Sequence, residues 1–255
     1  MGFSWLEKTK SLLLERITAH RLENKEVKVL VKTLTPEEAI GEPGRRDFPI
    51  IVGKERMIEA TFLGTKGQAF TDSPAEFMGP LKDILELSLT SNKERALYTA
   101  ALNAVLKHLN QAEKTLHCRD DEPEKCARQM ALGLIREWGK VKVGLIGLNP
   151  AIAENLVRTF GVKNVRITDL NRENIGSRKF GVEIWDGLRR SEDLIRETDG
   201  VLISGTTLIN GTFDPLWELV EKDKKPYLLY GVTAAGFCAL TGLKRICLYG
   251  RDENK

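Results

Sequence analysis

The 255-residue sequence predicts an α/β protein with a parallel sheet in its C-terminal half. From Lys140 onward, short apolar runs alternate with amphipathic stretches of about ten residues, which is typical of strand–helix–strand units. Three of the apolar runs end in small polar residues that lead into a predicted helix. The first half of the chain lacks this alternation and mixes helices with paired strands, so we predict a smaller α+β region there.

The N-terminal elements follow from their periodicities. Residues 5–20 place apolar side chains at near-helical spacing, which predicts a helix. Residues 27–34 alternate Val27 and two further valines with lysines, as a half-buried strand does. Two strand-like runs around Gly64 and Gly67 predict a hairpin over residues 56–71.

Two helices are predicted in the middle of the chain. Ser91-Asn92-Lys93-Glu94 is a capping box that begins a helix reaching about Leu109. Asp121-Glu122-Pro123-Glu124 begins a second helix, which is amphipathic. Asn103 interrupts a run of small residues in the first helix, where asparagine is unfavourable by propensity. We therefore expect its amide to bond across an interface or to a ligand, or to be a satisfied core amide.

In the second half, the apolar runs predict five strands and the stretches between them three helices. The strands are predicted at residues 141–146, 164–168, 200–204, 227–230 and 245–249, and the helices at 150–160, 215–221 and 233–240. Asp214-Pro215 marks the start of the second of these helices, because aspartate accepts orphan amides at an N-cap and proline suits the first helical position. Thr233 is the predicted N-cap of the third.

The turns after three of these strands predict a ligand site. They are Gly147-Leu148-Asn149, the loop from Gly205 to Asp214, and Gly231-Val232-Thr233. Small residues expose backbone N–H groups and short hydroxyls, which suits a polar or anionic ligand. Ligands of parallel sheets bind at the carboxyl ends of the strands, so these turns are expected to meet at one edge.

Composition excludes several classes of partner. A net charge of +3, spread along the chain, gives no reason to expect nucleic-acid binding. No window reaches the roughly 18 consecutive apolar residues of a membrane-spanning helix, and charges near the N-terminus argue against a signal peptide. Four cysteines without a CxxC pair indicate reduced thiols. We expect a cytoplasmic protein with a small-molecule partner, no nucleic-acid or membrane partner, and a sequence compatible with a homodimer.

Neither a nicotinamide cofactor nor a protein-bound metal is indicated. Asp169 follows Gly147 by 22 residues, a spacing close to that of the ribose-binding acid in dinucleotide-binding folds. The glycine-rich fingerprint of those folds is absent. S-adenosylmethionine requires less of that fingerprint and stays open. His117-Cys118 and the nearby Asp120, Asp121 and Cys126 match no standard zinc spacing. No Ser-His-Asp order and no P-loop identify a catalytic residue, so the sequence does not decide whether the protein is an enzyme.

Four segments resemble a known family. They resemble the putative heavy-metal chelation domain family, whose function is undetermined. The segments are Ser204 to Thr212, Tyr230 to Gly236, Ser91 to Leu97 and Ala101 to Ala104. The resemblance implies an enolase N-terminal-like α+β domain over residues 1–115 and a Rossmann-like domain over residues 116–255. It also implies a site in the cleft between them.

These observations together predict an interdomain site for an anionic or metal-bearing organic ligand, which the resemblance links to heavy-metal chelation or metal-cofactor metabolism. A metal ion would then arrive within the ligand or bind through oxygen groups. The alternatives are an enzyme dependent on S-adenosylmethionine or a nucleotide, and a non-catalytic metal-handling protein. The predicted ligand-binding residues are Asn92, Arg95, Asn103, Asn149, Asp169, Thr206, Thr207, Asn210, Gly211, Thr212, Gly231 and Thr233.

Overall fold

A computed structural model describes residues 4–20, 22 and 28–252 of the chain. The helices are α1 (Trp5–Ala19), α2 (Pro36–Ile40), α3 (Leu81–Leu85), α4 (Asn92–His108), α5 (Glu122–Trp138), α6 (Pro150–Phe160), α7 (Gly187–Glu197), α8 (Thr207–Asn210), α9 (Phe213–Lys222) and α10 (Ala235–Thr241). The strands are β1 (Lys28–Leu34), β2 (Arg56–Phe62), β3 (Thr65–Thr71), β4 (Phe77–Pro80), β5 (Val143–Ile146), β6 (Val165–Asp169), β7 (Arg178–Lys179), β8 (Val182–Asp186), β9 (Gly200–Ser204), β10 (Tyr227–Tyr230) and β11 (Arg245–Ile246).

The described strands form two sheets. The smaller sheet is antiparallel with the order β3-β2-β1-β4. The larger sheet has the order β11-β10-β9-β5-β6-β8-β7, and all its pairs are parallel except that of β7 with β8. Counted along the chain, its six parallel strands have the order 3-2-1-4-5-6 of a doubly wound fold, with the switch point between β5 and β9. The α/β fold class is confirmed.

Helix α4 lies between the two sheets and is buried on every side. Every residue from Ala96 to Leu106 is buried, as expected of a helix without a solvent face. Two glycines allow this close approach. A Cβ atom at Gly67 of β3 would clash with the α4 backbone, and one at Gly236 of α10 would lie 2.9 Å from the Asn103 Oδ1 atom. Apolar side chains of both sheets consequently belong to one buried cluster around α4.

Asn103, the expected interface or ligand amide, is a completely buried residue that joins the two sheets. Its Nδ2 atom donates to the backbone oxygens of Gln68 in β3 (2.9 Å) and of Val232 after β10 (3.2 Å). Its Oδ1 atom accepts from the backbone N–H of Gly236 (2.6 Å). A second bond runs nearby, from the Phe70 N–H to the Thr233 hydroxyl (3.1 Å). The core-amide alternative therefore describes the observed bonding of Asn103.

Several predicted element boundaries differ from the structure. The helix expected to start at Asp214-Pro215 is α9, which begins at Phe213 with Thr212 as its N-cap residue. The Asp214 carboxylate instead accepts from the Trp5 N–H at the start of α1 (2.9 Å), so it serves a different helix. Helix α10 begins at Ala235 rather than Thr233, because the Thr233 hydroxyl is bonded to β3.

Other differences are additions and shortened strands. The loop expected between β9 and α9 contains the short helix α8, and the last predicted strand extends only over β11. Strand β8 and helix α7 were not predicted, although Asp186 caps α7 by accepting from the Leu188 N–H (2.9 Å). The predicted strand start at Val27 lies outside the described residues, where β1 begins at Lys28.

The predicted boundary between residues 1–115 and 116–255 stays a prediction, as does the likeness of the first part to the leading domain of enolase. The shared cluster around α4 connects the two sheets through buried apolar contacts. Within the described residues, no helix combines the length and the apolar character that crossing a bilayer requires.

Replacing Asn103 tests the connection between the sheets. Asn103→Ala removes the partner of the buried Gln68 backbone oxygen and of the Gly236 N–H, and is expected to lower the free energy of unfolding by about 2–4 kcal/mol. Asn155→Ala is the matched control, because among the described residues the buried Asn155 amide bonds only to Ala151 of its own helix. Its expected cost is about 1 kcal/mol. Urea denaturation measures both, and equal losses would contradict the bridging role.

Candidate functional site

A cleft of about 520 Å³ lies at the carboxyl edge of the large sheet. One wall consists of the turns that follow β5, β6, β9 and β10, and the cleft spans the switch point between β5 and β9. The opposite wall comes from β3, the loop between α2 and β2, and the start of α4. The cleft therefore lies where open α/β sheets bind ligands, and residues from both sheets line it.

Seven of the twelve predicted ligand-binding residues line this cleft. They are Asn92, Asn149, Asp169, Thr206, Asn210, Gly231 and Thr233. The three turns expected at one sheet edge thus converge, and Asn92 approaches from the opposite wall. The other five are absent from the lining: Arg95, Asn103, Thr207, Gly211 and Thr212. Ligand contact stays a prediction for all twelve.

Arg95 supports the cleft wall from behind. Its guanidinium donates to the backbone oxygens of Ile209 (2.6 Å) and Leu89 (2.8 Å) and to the Asn92 side-chain oxygen (2.6 Å). Gly211 packs beside the same guanidinium, where a Cβ atom would lie 3.4 Å from it. These bonds direct the cation away from the cleft and hold α8 against the start of α4.

The loop around α8 uses its polar groups internally. The Thr207 hydroxyl donates to the Ser204 backbone oxygen (2.7 Å). Both the backbone N–H and the hydroxyl of Thr212 donate to the Asn210 Oδ1 atom (3.1 and 2.7 Å). Thr207 and Thr212 consequently shape the loop, while Thr206 and Asn210 face the cleft.

Asp169 organises two turns at the cleft floor. One carboxylate oxygen accepts from the Leu148 N–H (2.8 Å), and the other accepts from the Asn171 N–H (2.7 Å) and the Asn174 side chain (3.3 Å). Both oxygens thus have partners within the protein. A ribose hydroxyl would have to compete with these donors for the carboxylate.

The N-terminus of α6 has few amides left for a phosphate group. Asn149 is its N-cap, and its Oδ1 atom accepts from the Ile152 N–H (3.1 Å). Pro150 occupies the first turn and has no N–H to donate. This arrangement differs from the glycine-rich turns that leave such amides for a pyrophosphate.

Tyr230 crosses the switch point, and the sequence prediction missed it because it ends an apolar strand. Its hydroxyl donates to the Gly147 backbone oxygen (2.7 Å), and burial raises the pKa of this phenol. Gly147 has a positive φ of 89°, and a Cβ atom there would lie 2.9 Å from the Ser204 Cβ atom. Glycine at this turn therefore allows β5, β9 and β10 to meet closely below the cleft.

Glu55 is a second cleft residue that the sequence prediction missed. Its charged neighbours Lys54 and Arg56 give it the appearance of a solvated turn. Burial, together with the negative charges of Asp169 and Asp72, raises its pKa from 4.5 to about 7. Among the described residues, no donor is hydrogen-bonded to its carboxylate. A carboxyl group with such a pKa in a cleft is a common feature of functional sites.

His117 contributes a neutral imidazole to the same cleft. Its Nδ1 atom is 2.6 Å from the Cys118 backbone oxygen, which can only accept, so Nδ1 carries the proton. Burial lowers its pKa to about 4, and the ring meets Phe70 edge-on at a centroid distance of 5.2 Å. Nε2 is consequently an acceptor. Within the described part of the chain, no group of three or more His, Cys, Asp or Glu side chains is placed to hold a metal ion.

The charged residues of the cleft are predominantly acidic. Among the described residues, four carboxylates line it, those of Glu55, Asp72, Asp169 and Glu173, with two cationic side chains, Lys54 and Arg172. Lys54 forms an ion pair with Glu173. The Asp72 carboxylate accepts from the Asn92 side-chain amide (2.9 Å). The cleft thus combines an excess of carboxylates with asparagine, threonine and aromatic side chains.

Comparison with known proteins agrees with the resemblance noted in the sequence. The model of the DUF364 family, described as putative heavy-metal chelation, matches residues 131–242. No curated protein matches the chain significantly. The family resemblance is confirmed over the matched segment, which runs from α5 to the end of α10.

Two solved structures of this family are similar to the chain. A protein of unknown function from Pyrococcus horikoshii has a TM-score of 0.51 and 18% identity, over 91% of this chain and 80% of that one. A protein of unknown function from Desulfitobacterium hafniense has a TM-score of 0.51 and 17% identity, over 73% of this chain and 72% of that one. At this identity, the similarity establishes the fold.

Glu55→Gln is expected to stabilise the protein in a pH-dependent way. Because the folded-state pKa is raised, the ionised carboxylate destabilises the native state progressively as the pH rises from 4.5 through about 7. Glutamine removes this cost, so the variant should gain about 3 kcal/mol at a pH of about 8 and almost nothing near pH 4. Denaturant titrations at both pH values measure the difference. Glu218→Gln, at an exposed position of α9, should show no such pH dependence, and a less stable Glu55→Gln protein at high pH would contradict the account.

Proposed function

We propose that this chain, whose residues 131–242 match the heavy-metal chelation family model, binds a small polar organic molecule in the cleft at the switch point. The cleft position carries this proposal, because it combines the carboxyl edge of a doubly wound sheet with an opposing wall from the second sheet. The bonds of Asn103 and Thr233 hold the two walls at a fixed separation. Such a preformed cleft lowers the ordering cost of binding.

Several polar groups in the cleft are available to a ligand. The side-chain nitrogens of Asn149 and Asn210 form no hydrogen bond with any described residue, and the Glu55 carboxylate likewise has no donor. The His117 Nε2 atom is an acceptor. Phe48, Phe70 and Leu148 add apolar surface to the same lining. This mixture of a few polar groups on an apolar background is typical of sites for small organic molecules.

A metal-bearing organic ligand is the first class to test. The family description refers to heavy-metal chelation. The described residues offer no set of three side chains arranged to coordinate a metal directly. We therefore infer that a metal, where one is involved, arrives within an organic chelate. The protein would then recognise the organic part through the asparagine amides and the carboxylates of the cleft.

An enzyme that uses S-adenosylmethionine or a nucleotide is the second candidate. The 3-2-1-4-5-6 strand order and the position of Asp169 at the end of β6 favour it. The internal bonds of Asp169 and the capped N-terminus of α6 weigh against a phosphate-bearing cofactor. Thermal stabilisation by S-adenosylmethionine that is lost in Asp169→Ala would support this candidate, and no stabilisation would remove it.

Blocking the cleft tests the proposed site. Thr206→Phe places a large side chain in the cleft, whereas Thr18→Phe places it at an exposed position of α1. Native mass spectrometry of gently purified protein should show a small-molecule adduct in the wild type and in Thr18→Phe. The adduct should fall by about tenfold or more in Thr206→Phe, since exclusion costs at least about 1.4 kcal/mol.

Elemental analysis of the same samples shows whether a metal accompanies the organic mass. An adduct of equal abundance in all three proteins would place the ligand outside the cleft. A metal found without any organic mass would favour the metal-handling alternative over an organic ligand.

A further inference from the structure

We propose that the ligand carries a positively charged organic group, such as an ammonium, which lies against the Glu55 carboxylate. This inference rests on the proposed function and assigns the chemistry of its ligand. It departs from the anionic ligand that the polar turns suggest in the sequence. Three features of the cleft favour a cation: its charge balance, the direction of the Arg95 guanidinium and the environment of Glu55.

The charge balance of the cleft opposes an anion. Four carboxylates and two cations line it, and one of the cations, Lys54, is paired with Glu173. Of the cations that the structure describes in the lining, Arg172 is then left to attract a carboxylate or phosphate. Like charges in a confined, partly desolvated site repel strongly, so an anionic group would meet Glu55, Asp72 and Asp169 at close range.

The cationic donor and two of the threonine hydroxyls that the sequence offers to an anion are directed elsewhere. Arg95 lies behind the wall and donates to two backbone oxygens and to Asn92. The Thr207 hydroxyl donates to the Ser204 backbone oxygen, and the Thr212 hydroxyl and N–H donate to Asn210. The amide nitrogens of Asn149 and Asn210 stay available as uncharged donors, which suit a neutral or cationic ligand as well as an anion. The loop composition that suggests anion binding in the sequence therefore serves the internal structure of the loop.

Glu55 lacks the partners that its two acidic neighbours have. Asp169 accepts from two backbone N–H groups and Asn174, and Asp72 accepts from Asn92 and Ser73. The half-buried Glu55 side chain lines the cleft, and its carboxylate has no hydrogen-bond donor among the described residues. Partial burial and the charges of Asp169 and Asp72 raise its pKa. A partly enclosed carboxylate without a protein donor is less well solvated than one in water, and a ligand ammonium would supply both a donor and a compensating charge.

Aromatic side chains make the cleft more suitable for an organic cation than for a bare metal ion. Phe48, Phe70 and Tyr230 line the same space, and aromatic faces attract ammonium groups. Direct coordination of a metal would instead require several converging ligands, and the described residues provide no group of three. The inference therefore commits to an organic cation.

Three four-carbon probes of matched size test the charge preference. They are 1,4-diaminobutane, 1,4-butanediol and succinate. All three are tested at the same concentration, about tenfold the millimolar Kd expected for the diamine, by differential scanning fluorimetry near neutral pH. The diamine should raise the Tm of the wild type by about 2–4 °C, and the diol and succinate should not. Glu55→Gln should abolish this shift, while Glu218→Gln, with an exposed glutamate far along the chain in α9, should retain it.

Each other outcome overturns the inference. A diamine shift that persists in Glu55→Gln would place the cation elsewhere, and the absence of any diamine shift would show that the cleft has no affinity for an ammonium. Stabilisation by nickel chloride alone, lost in Glu55→Gln, would assign the position to a metal ion. A succinate shift that is lost in Thr206→Phe would contradict the inference and yet support the cleft as the ligand site, so the two proposals fail separately.

Discussion

The packing of the two sheets against α4 depends on one buried carboxamide. Asn103 lies at the centre of α4 and satisfies backbone groups of β3 on one side and of the β10–α10 turn on the other. Without a polar side chain there, the Gln68 backbone oxygen and the Gly236 N–H would be buried without their partner. Gly67 and Gly236 allow the two layers to approach α4 closely enough for these bonds to form. The spacing between the cleft walls follows from the same contacts, because Phe70 and Thr233 are bonded beside them.

The residues of the cleft fall into two groups. Some build its walls through internal hydrogen bonds, and others have polar groups that are available to a ligand. Internal hydrogen bonds hold the loops of the cleft. They are made by the side chains of Arg95, Thr207, Thr212 and Asp169. Glu55 contributes a carboxylate to the same space without such partners. A stable scaffold with one energetically unfavourable group is a frequent arrangement at functional sites, where the ligand supplies the missing partner. This contrast supports our assignment of an organic cation.

The sequence predicted the parts of the fold that depend on local periodicity and on the chemistry of helix starts. The capping box at Ser91, the helix α6 and the convergence of three turns at one sheet edge agree with the structure. The predictions were wrong where a side chain serves a distant element, as Asp214 does for α1. Glu55 and Tyr230 were missed because their importance arises from tertiary burial, which no local pattern records.

A crystal structure of the protein, purified without dialysis or denaturation, tests the central claim most directly. The account predicts electron density for a small organic molecule between the turns after β5 and β9, with a nitrogen within hydrogen-bonding distance of the Glu55 carboxylate. Density for the co-purified molecule at another surface would contradict the proposed site. Density in the cleft with a carboxylate or phosphate directed at Glu55 would retain the site and contradict the assignment of a cation.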